Sequence, residues 1–263
     1  MSLRSRLGAV RREGLQSLYK RIIVAQNRAP LVSFSFDDFP RTAYSSGGAI
    51  LEKYGVRGTY YTAWGLKNTA NELGEQFRSE DVDALLEKGH ELASHTFNHI
   101  SSRAVSYAAF RDDVEKGRKM IAEAAGADSG NFAYPFGDVT FEAKRRLSPG
   151  LTSARGIFGG LNGPEIDLNL LRANSLYGGL EGMAGVEELI RENTARKSWL
   201  IFYTHDVREN PSAYGCTPAL FAAAVDCAVR SGGALVLTVQ EALTEVGVQN
   251  GSPKVQARCG VAV

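Results

Sequence analysis

Cysteine is scarce in this 263-residue chain: Cys216, Cys227 and Cys259 are the only three. Their odd number and wide spacing argue against a disulfide framework or a CxxC zinc site and point to a reducing compartment. No apolar run reaches about 18 residues, so no segment is expected to span a bilayer. An excess of one charge is also missing, because 30 Lys and Arg against 29 Asp and Glu leave a net +1. That balance argues against nucleic-acid binding driven by overall charge. With 44% apolar residues it also excludes a disordered chain. Nucleotide signatures are lacking as well: no GxGxxG follows the first apolar strand, and no GxxxxGK[ST] occurs. Gly156, Gly159, Gly160 and Gly163 cluster without that spacing and read as a turn-rich loop.

Near-neutrality hides a basic end. Residues 1–30 carry Arg4, Arg6, Arg11, Arg12, Lys20, Arg21 and Arg28 against Glu13 alone. No uninterrupted apolar core or small-residue cleavage site marks this stretch as a secretory signal. Leu7, Val10, Leu15, Leu18, Ile22 and Ile23 have roughly helical spacing. Residues 1–30 are therefore expected to form a basic helical extension packed outside the main domain, with weak membrane-surface contact as a sharper alternative. The expected location is the bacterial cytoplasm, at most peripheral to the inner membrane.

From residue 31 the chain alternates short apolar runs with helical stretches. Strands are expected at 31–36, 58–62, 90–93, 132–134, 151–154, 170–173, 199–203 and 234–238. Ser79, Ser106 and Thr217 read as N-caps of intervening helices. No Pro-, Gly- or Ser-rich linker splits the series. The implied fold class is α/β, a distorted (β/α) barrel of seven or eight parallel strands over residues 31–247, with 248–263 as a polar tail.

The chemistry-bearing residues all fall at the C-terminal ends of expected strands, which in a β/α barrel converge on one face. Asp37 and Asp38 follow the first strand, His95 and His99 the third, Pro135-Phe136-Gly137 the fourth, and His205 and Asp206 the strand at Trp199. Adjacent carboxylates on an extended segment point to opposite sides, so one can ligate a metal while the other takes a proton. His95 and His99 are spaced i, i+4, which on a helical turn puts both imidazoles on one side. Thr96 stands where HExxH would place its base, so a base must come from elsewhere, and Asp37 is available. Asp38, His95 and His99 then make a His₂Asp metal site with a position left open for water. The ion expected is divalent, zinc first, with Co, Ni or Mn as alternatives. His205 suits a general acid. His90, at the start of its strand, reads as structural.

Phe34-Ser35-Phe36-Asp37-Asp38, Ser94-His95-Thr96-Phe97-Asn98-His99, Tyr134-Pro135-Phe136-Gly137 and the strand ending at His205 occur in one order. That order resembles the motifs of the polysaccharide deacetylases, the NodB-homology domain of carbohydrate esterase family four. The resemblance spans about residues 31–245. It implies a distorted β/α barrel in which Asp37 is the base, Asp38, His95 and His99 hold the metal, the Phe136 N–H joins an oxyanion hole, and His205 is the acid. The implied substrate is an acetylated glycan or sugar. Two departures stand out: Phe39 replaces the glycine after the aspartates, and Ala133 replaces the arginine that tethers the base. Arg172 is the expected surrogate for that arginine, with Arg57 behind it. The family's Asp-Trp pair is not found. The reading is a metal-dependent hydrolase that removes N-acetyl groups from an acetamido sugar in a glycan or glycan precursor. A hydrolase of a non-sugar amide or imide, and a catalytically silent glycan-binding protein, remain alternatives.

Overall fold

The computed structural model describes residues 14–248. Eight parallel strands make the main sheet: β1 (Leu31–Asp38), β2 (Thr59–Thr62), β3 (Glu91–Ser94), β4 (Asn131–Ala133), β5 (Ser153–Arg155), β6 (Asn174–Ser175), β7 (Trp199–Thr204) and β8 (Leu235–Val236). Seven of them run in the order β6-β7-β1-β2-β3-β4-β5, and β8 pairs with the first half of β1. A further parallel bridge, Arg155 to Leu171, carries the β5 edge toward the chain entering β6. The result is the distorted barrel that the alternation of elements implies.

β1 is the axis of the sheet. All eight of its residues are buried, as a strand covered on both faces must be. Its side chains divide with period two. Val32, Phe34 and Phe36 join Tyr60, Leu92, Leu200 and Phe202 in a cluster facing the helices. Leu31 lies with Tyr61, Ala93, Ala133, Trp199, Ile201 and Tyr203 in a second cluster on the inner face. Ser33 and Ser35 share that inner parity. Ser33 accepts the Trp199 indole N–H at 3.0 Å, and Ser35 donates to the Phe202 carbonyl at 2.8 Å. Small inner residues thus leave room at the strand ends for the large polar groups described below.

The helices on the outer layer include α1 (Ala49–Lys53), α2 (Ser79–Glu87), α3 (Tyr107–Ala125), α4 (Phe141–Arg146), α5 (Met183–Arg196) and α6 (Pro218–Arg230), while α7 (Val239–Glu245) packs Val239, Ala242 and Leu243 into the inner-face cluster. Their ends follow local chemistry. Ser106 Oγ accepts the Ala109 N–H, and Thr217 Oγ1 the Leu220 N–H. Arg78, one residue before the expected Ser79, is the N-cap of α2, because Asp81 reaches back to its N–H. Gly117 in α3 is required by close approach: a Cβ there would sit 2.6 Å from the Thr96 carbonyl oxygen.

The N-terminal segment differs from its expectation. Ile22–Val24 is a strand, antiparallel to Glu165–Asp167. Arg21 is buried and donates to the Leu151 and Thr152 carbonyls at 2.8 and 2.6 Å. The apolar spacing that reads as one helix is thus shared between a short turn at 14–17 and a strand, because the pairing partner lies more than 140 residues away. Arg4, Arg6, Arg11, Arg12 and Glu13 fall outside the described residues, as do Cys259 and the tail from 249. Among the described residues no helix is long and apolar enough to cross a membrane.

Candidate active site

Asp37 and Asp38 end β1, both buried. Asp38 and Phe39 have left-handed φ of +66° and +70°. A glycine would take this turn freely, whereas a side chain costs roughly 1–2 kcal/mol per residue. Phe39 offsets that by complete burial, stacking on Phe77 with ring centroids 5.0 Å apart. The glycine position of the resembling motif therefore keeps its backbone shape with an apolar anchor in place of conformational freedom. The turn also swings Asp38 out of the strict strand alternation.

His95 and His99 do not lie on a helical turn. The chain after β3 is an irregular bend with left-handed φ at Thr96 (+65°) and His99 (+53°). Asp113 of α3 holds this bend: one carboxylate oxygen accepts the Phe97 and Asn98 N–H groups, each at 2.9 Å, and the other the Asn98 amide. The two imidazoles still meet, with centroids 5.0 Å apart.

Ligand atoms of Asp38, His95 and His99 all lie within 4.8 Å of one another. His95 Nδ1 is 2.8 Å from the Ala133 carbonyl oxygen, which fixes the proton on Nδ1 and leaves the Nε2 lone pair facing Asp38. Asp38 Oδ1 is 3.5 Å from His95 Nε2 and 3.0 Å from His99 Nε2, yet this buried atom makes no hydrogen bond. A buried acceptor among two imidazoles without a donor is costly by itself and fits a cation at the point of convergence. The titration behaviour agrees. Burial, then the charges of Asp37 and Glu72, push Asp38 up to about 8 in the absence of a cation. Burial lowers His95 to about 3 and His99 to about 4, so both are neutral ligands at neutral pH.

Asp37 is tied to an arginine, and that arginine is Arg155. Its guanidinium ion-pairs with the Asp37 carboxylate from the end of β5. It also donates to the Gly156 carbonyl at 3.1 Å and lies over the rings of Tyr61 and Tyr203, at 4.7 and 5.1 Å. Arg172, the expected surrogate, instead donates to the Gly159 carbonyl at 2.9 Å and to Gln16 Oε1 at 2.8 Å. Arg57 donates to the Lys88 carbonyl. The reason is register: β5 pairs directly with β4, so Arg155 stands opposite Ala133, the very position where the arginine is missing. An arginine from the neighbouring strand fills the space that alanine leaves. Burial opposes ionisation of Asp37, but Arg155, with His95 and His205, outweighs it and holds the carboxyl below its ordinary range.

His205 follows β7. Its Nδ1 is 3.0 Å from the Tyr214 carbonyl oxygen, and no carboxylate among the described residues hydrogen-bonds it. Burial lowers its pKa, with Asp37 pulling the other way. Asp206 does not orient the imidazole. It accepts from the Ser212 N–H and hydroxyl and faces Arg208 at 2.8 Å, which shapes the loop that delivers the Tyr214 carbonyl. Phe136 has φ +59°, and its ring lies 4.4 Å from that of His99. His90 sits away from this cluster, accepting the Gly58 N–H at Nδ1.

These groups line one cavity of about 300 Å³: Asp37, Asp38, His95, His99, Phe136 and His205, with Glu72, Leu73, Gly137, Ile157, Tyr177, Tyr203 and Tyr214 completing its walls. Sequence reasoning missed Arg155, Asp113, Glu72 and the three tyrosines. Arg155 alone carried a usable signal, a charged residue at a strand's C-terminal end. The arrangement pairs an ionised carboxylate, a cation-demanding triad and an imidazole across a small apolar-walled space, which suits hydrolysis of an acyl group.

Residues 25–148 match the profile of the polysaccharide deacetylase family. No curated protein sequence matches the chain. Among solved structures, the Xyl-CE4 domain of a multidomain xylanase from the hindgut metagenome of Trinervitermes trinervoides is 20% identical, over 84% of this chain and 93% of that one, with a TM-score of 0.57. A family 4 acetyl xylan esterase from Clostridium thermocellum, solved with a cobalt ion, is 18% identical over 83% and 93%, at 0.56. The peptidoglycan deacetylase PdaC from Bacillus subtilis, as a D285S mutant, is 14% identical over 83% and 92%, at 0.51. The fold of this chain is theirs.

Proposed function

We propose a specific activity for this chain, which is a divergent relative of the polysaccharide deacetylases: metal-dependent hydrolysis of the N-acetyl group of an acetamido sugar in a glycan or glycan precursor. The observation that carries the proposal is the unpartnered, buried Asp38 Oδ1 facing His95 and His99, beside an ionised Asp37 and across a cavity from His205. A structural neighbour solved with cobalt supports the cation, and a neighbour named as a peptidoglycan deacetylase supports the amide.

Asp38, His95 and His99 would hold the divalent ion, zinc first. Such an ion supplies Lewis acidity toward water and the acyl oxygen. Asp37 accepts the proton of the attacking water. Arg155 keeps that carboxylate ionised and oriented, so the base is ready at neutral pH. The Phe136 N–H is the proposed backbone donor to the tetrahedral oxyanion, a type of contact worth roughly 3–4 kcal/mol. His205, with Nδ1–H committed to the Tyr214 carbonyl, acts in its imidazolium form, which the Asp37 charge favours: its Nε2–H gives its proton to the departing amine, and the water proton held by Asp37 restores the balance. Acetate and a free amino sugar leave.

Metal-loaded Asp37→Asn and His205→Asn variants test the roles. Each should keep metal and substrate affinity and lose about 10²–10⁴-fold in turnover, because both groups act mainly in the transition state. Acetate release from N-acetylglucosamine oligomers and acetylated xylan, read side by side, gives the bond cleaved. Near wild-type turnover by both variants refutes the mechanism.

A further inference from the structure

The mechanism leaves one charged group on the cavity wall without work. Glu72 sits at the turn of the hairpin formed by Ala70–Asn71 and Gly74–Glu75, and it lines the same cavity as the triad. Asp37 is paired with Arg155, and Asp38 belongs to the cation site. The Glu72 carboxylate has neither a hydrogen bond nor an ion pair among the described residues. Arg208 donates to the Glu72 backbone carbonyl at 3.1 Å, while its guanidinium pairs with Asp206 at 2.8 Å. Arg208 thus pins the hairpin to the loop carrying Tyr214 and leaves the carboxylate free.

The cavity that Glu72 lines also carries aromatic side chains. Phe136 and Tyr214, which line this cavity, are 62% and 52% exposed, so each keeps ring surface accessible, and Tyr177 packs beside His205. A carboxylate without a partner beside exposed aromatic rings is a combination that recognises an ammonium group: the carboxylate supplies the charge, and the rings supply cation–π contact. A neutral sugar would also stack on those rings, but would gain nothing from Glu72.

We infer that Glu72 and the aromatic rim form an ammonium subsite, so that the favoured glycan carries a protonated amino group beside the acetamido group under attack. This deepens the deacetylase reading and rests on it for the identity of the neighbouring sugar. The chemistry of such a substrate is that of a partly deacetylated amino-sugar polymer. Each turnover creates the group that the subsite prefers, which favours continued action on the same chain.

The test compares binding of two β-1,4 oligomers that cannot be deacetylated, a glucosamine tetramer and neutral cellotetraose. Calorimetry on the metal-loaded protein at about pH 6 keeps the amines charged. Wild type should bind the glucosamine tetramer about five- to tenfold more tightly, the range expected for one partly screened charge pair with cation–π contact, and the preference should shrink with salt. Glu72→Gln should bring the ratio close to one while leaving cellotetraose affinity unchanged. The side chain is exposed and makes no contact that folding needs. An equal ratio in wild type and variant, or no preference in wild type, overturns the inference. Acetate release from an N-acetylglucosamine tetramer, measured alongside, tests the deacetylase reading separately, since the binding ratio is read without turnover.

Discussion

At the scale of single residues, the site turns on which arginine meets Asp37. Arg155 does so from β5 while fully buried, so its loss leaves an ionised carboxylate in a dry site. Arg155→Met should lower kcat by about 10²-fold or more and destabilise the fold by roughly 3–5 kcal/mol, as breaking a buried pair does. Arg172→Met should leave kcat within about twofold. Steady-state kinetics and urea unfolding of the two variants check this pair, and equal losses in both would contradict the assignment. His90 gives a pH signature away from the catalytic groups. Burial lowers its pKa below the ordinary 6.5, outweighing the Glu52 carboxylate 3.4 Å from Nε2, and its Nδ1 accepts the Gly58 N–H, which needs the neutral ring. A depressed folded pKa contributes stability that is fully present above 6.5 and lost as pH falls through the folded value. His90→Asn keeps an acceptor but cannot be protonated. Metal-free His90→Asn should therefore lose less unfolding free energy than wild type between about pH 7 and pH 5, and matching slopes would refute the linkage.

At the scale of elements, α3 is the part that sets the geometry of the triad. Asp113 on its inner face orders the bend between His95 and His99, and Gly117 lets the helix touch that bend. Supporting groups of this kind are typically worth 10–100-fold in metal affinity. Asp113→Ala should weaken zinc binding by that much while circular dichroism stays helical, and an unchanged zinc affinity in a competition titration would count against the role. This dependence also shows where the sequence is readable. Apolar runs, caps and polar strand ends place β1, α3, α6 and the convergence of Asp37, Asp38, His95, His99, Phe136 and His205, because those signals are local. The bend at His95–His99 is read as helical from i, i+4 spacing alone, since nothing local reveals Asp113 reaching in from another element. Arg155 is legible only as a charge just past the strand signal that stops at Ala154; its partnership with Asp37 spans 118 residues and leaves no local trace. Ile22–Val24 reads as helix for the same reason, its partner being distant.

At the scale of the whole molecule, the sheet separates two kinds of burial. The outer face of β1 and β7 is packed with phenylalanines under helices, while the inner face grades from Leu31 through serines to Asp37. Stability is thereby concentrated on the outside and polar chemistry at one open end. The triad holds a buried carboxylate oxygen with no hydrogen bond, so a bound cation should both activate and stabilise the protein. Saturation at 100 times Kd adds about 2.7 kcal/mol by mass action. The most direct measurement of the central claim is acetate release from an N-acetylglucosamine oligomer by chelated and zinc-reconstituted protein, wild type beside His95→Ala. Release should vanish on chelation and return with stoichiometric zinc in wild type, but not in His95→Ala. Full activity in the chelated protein, or equal recovery in His95→Ala, would contradict a metal-dependent deacetylase built on Asp38, His95 and His99.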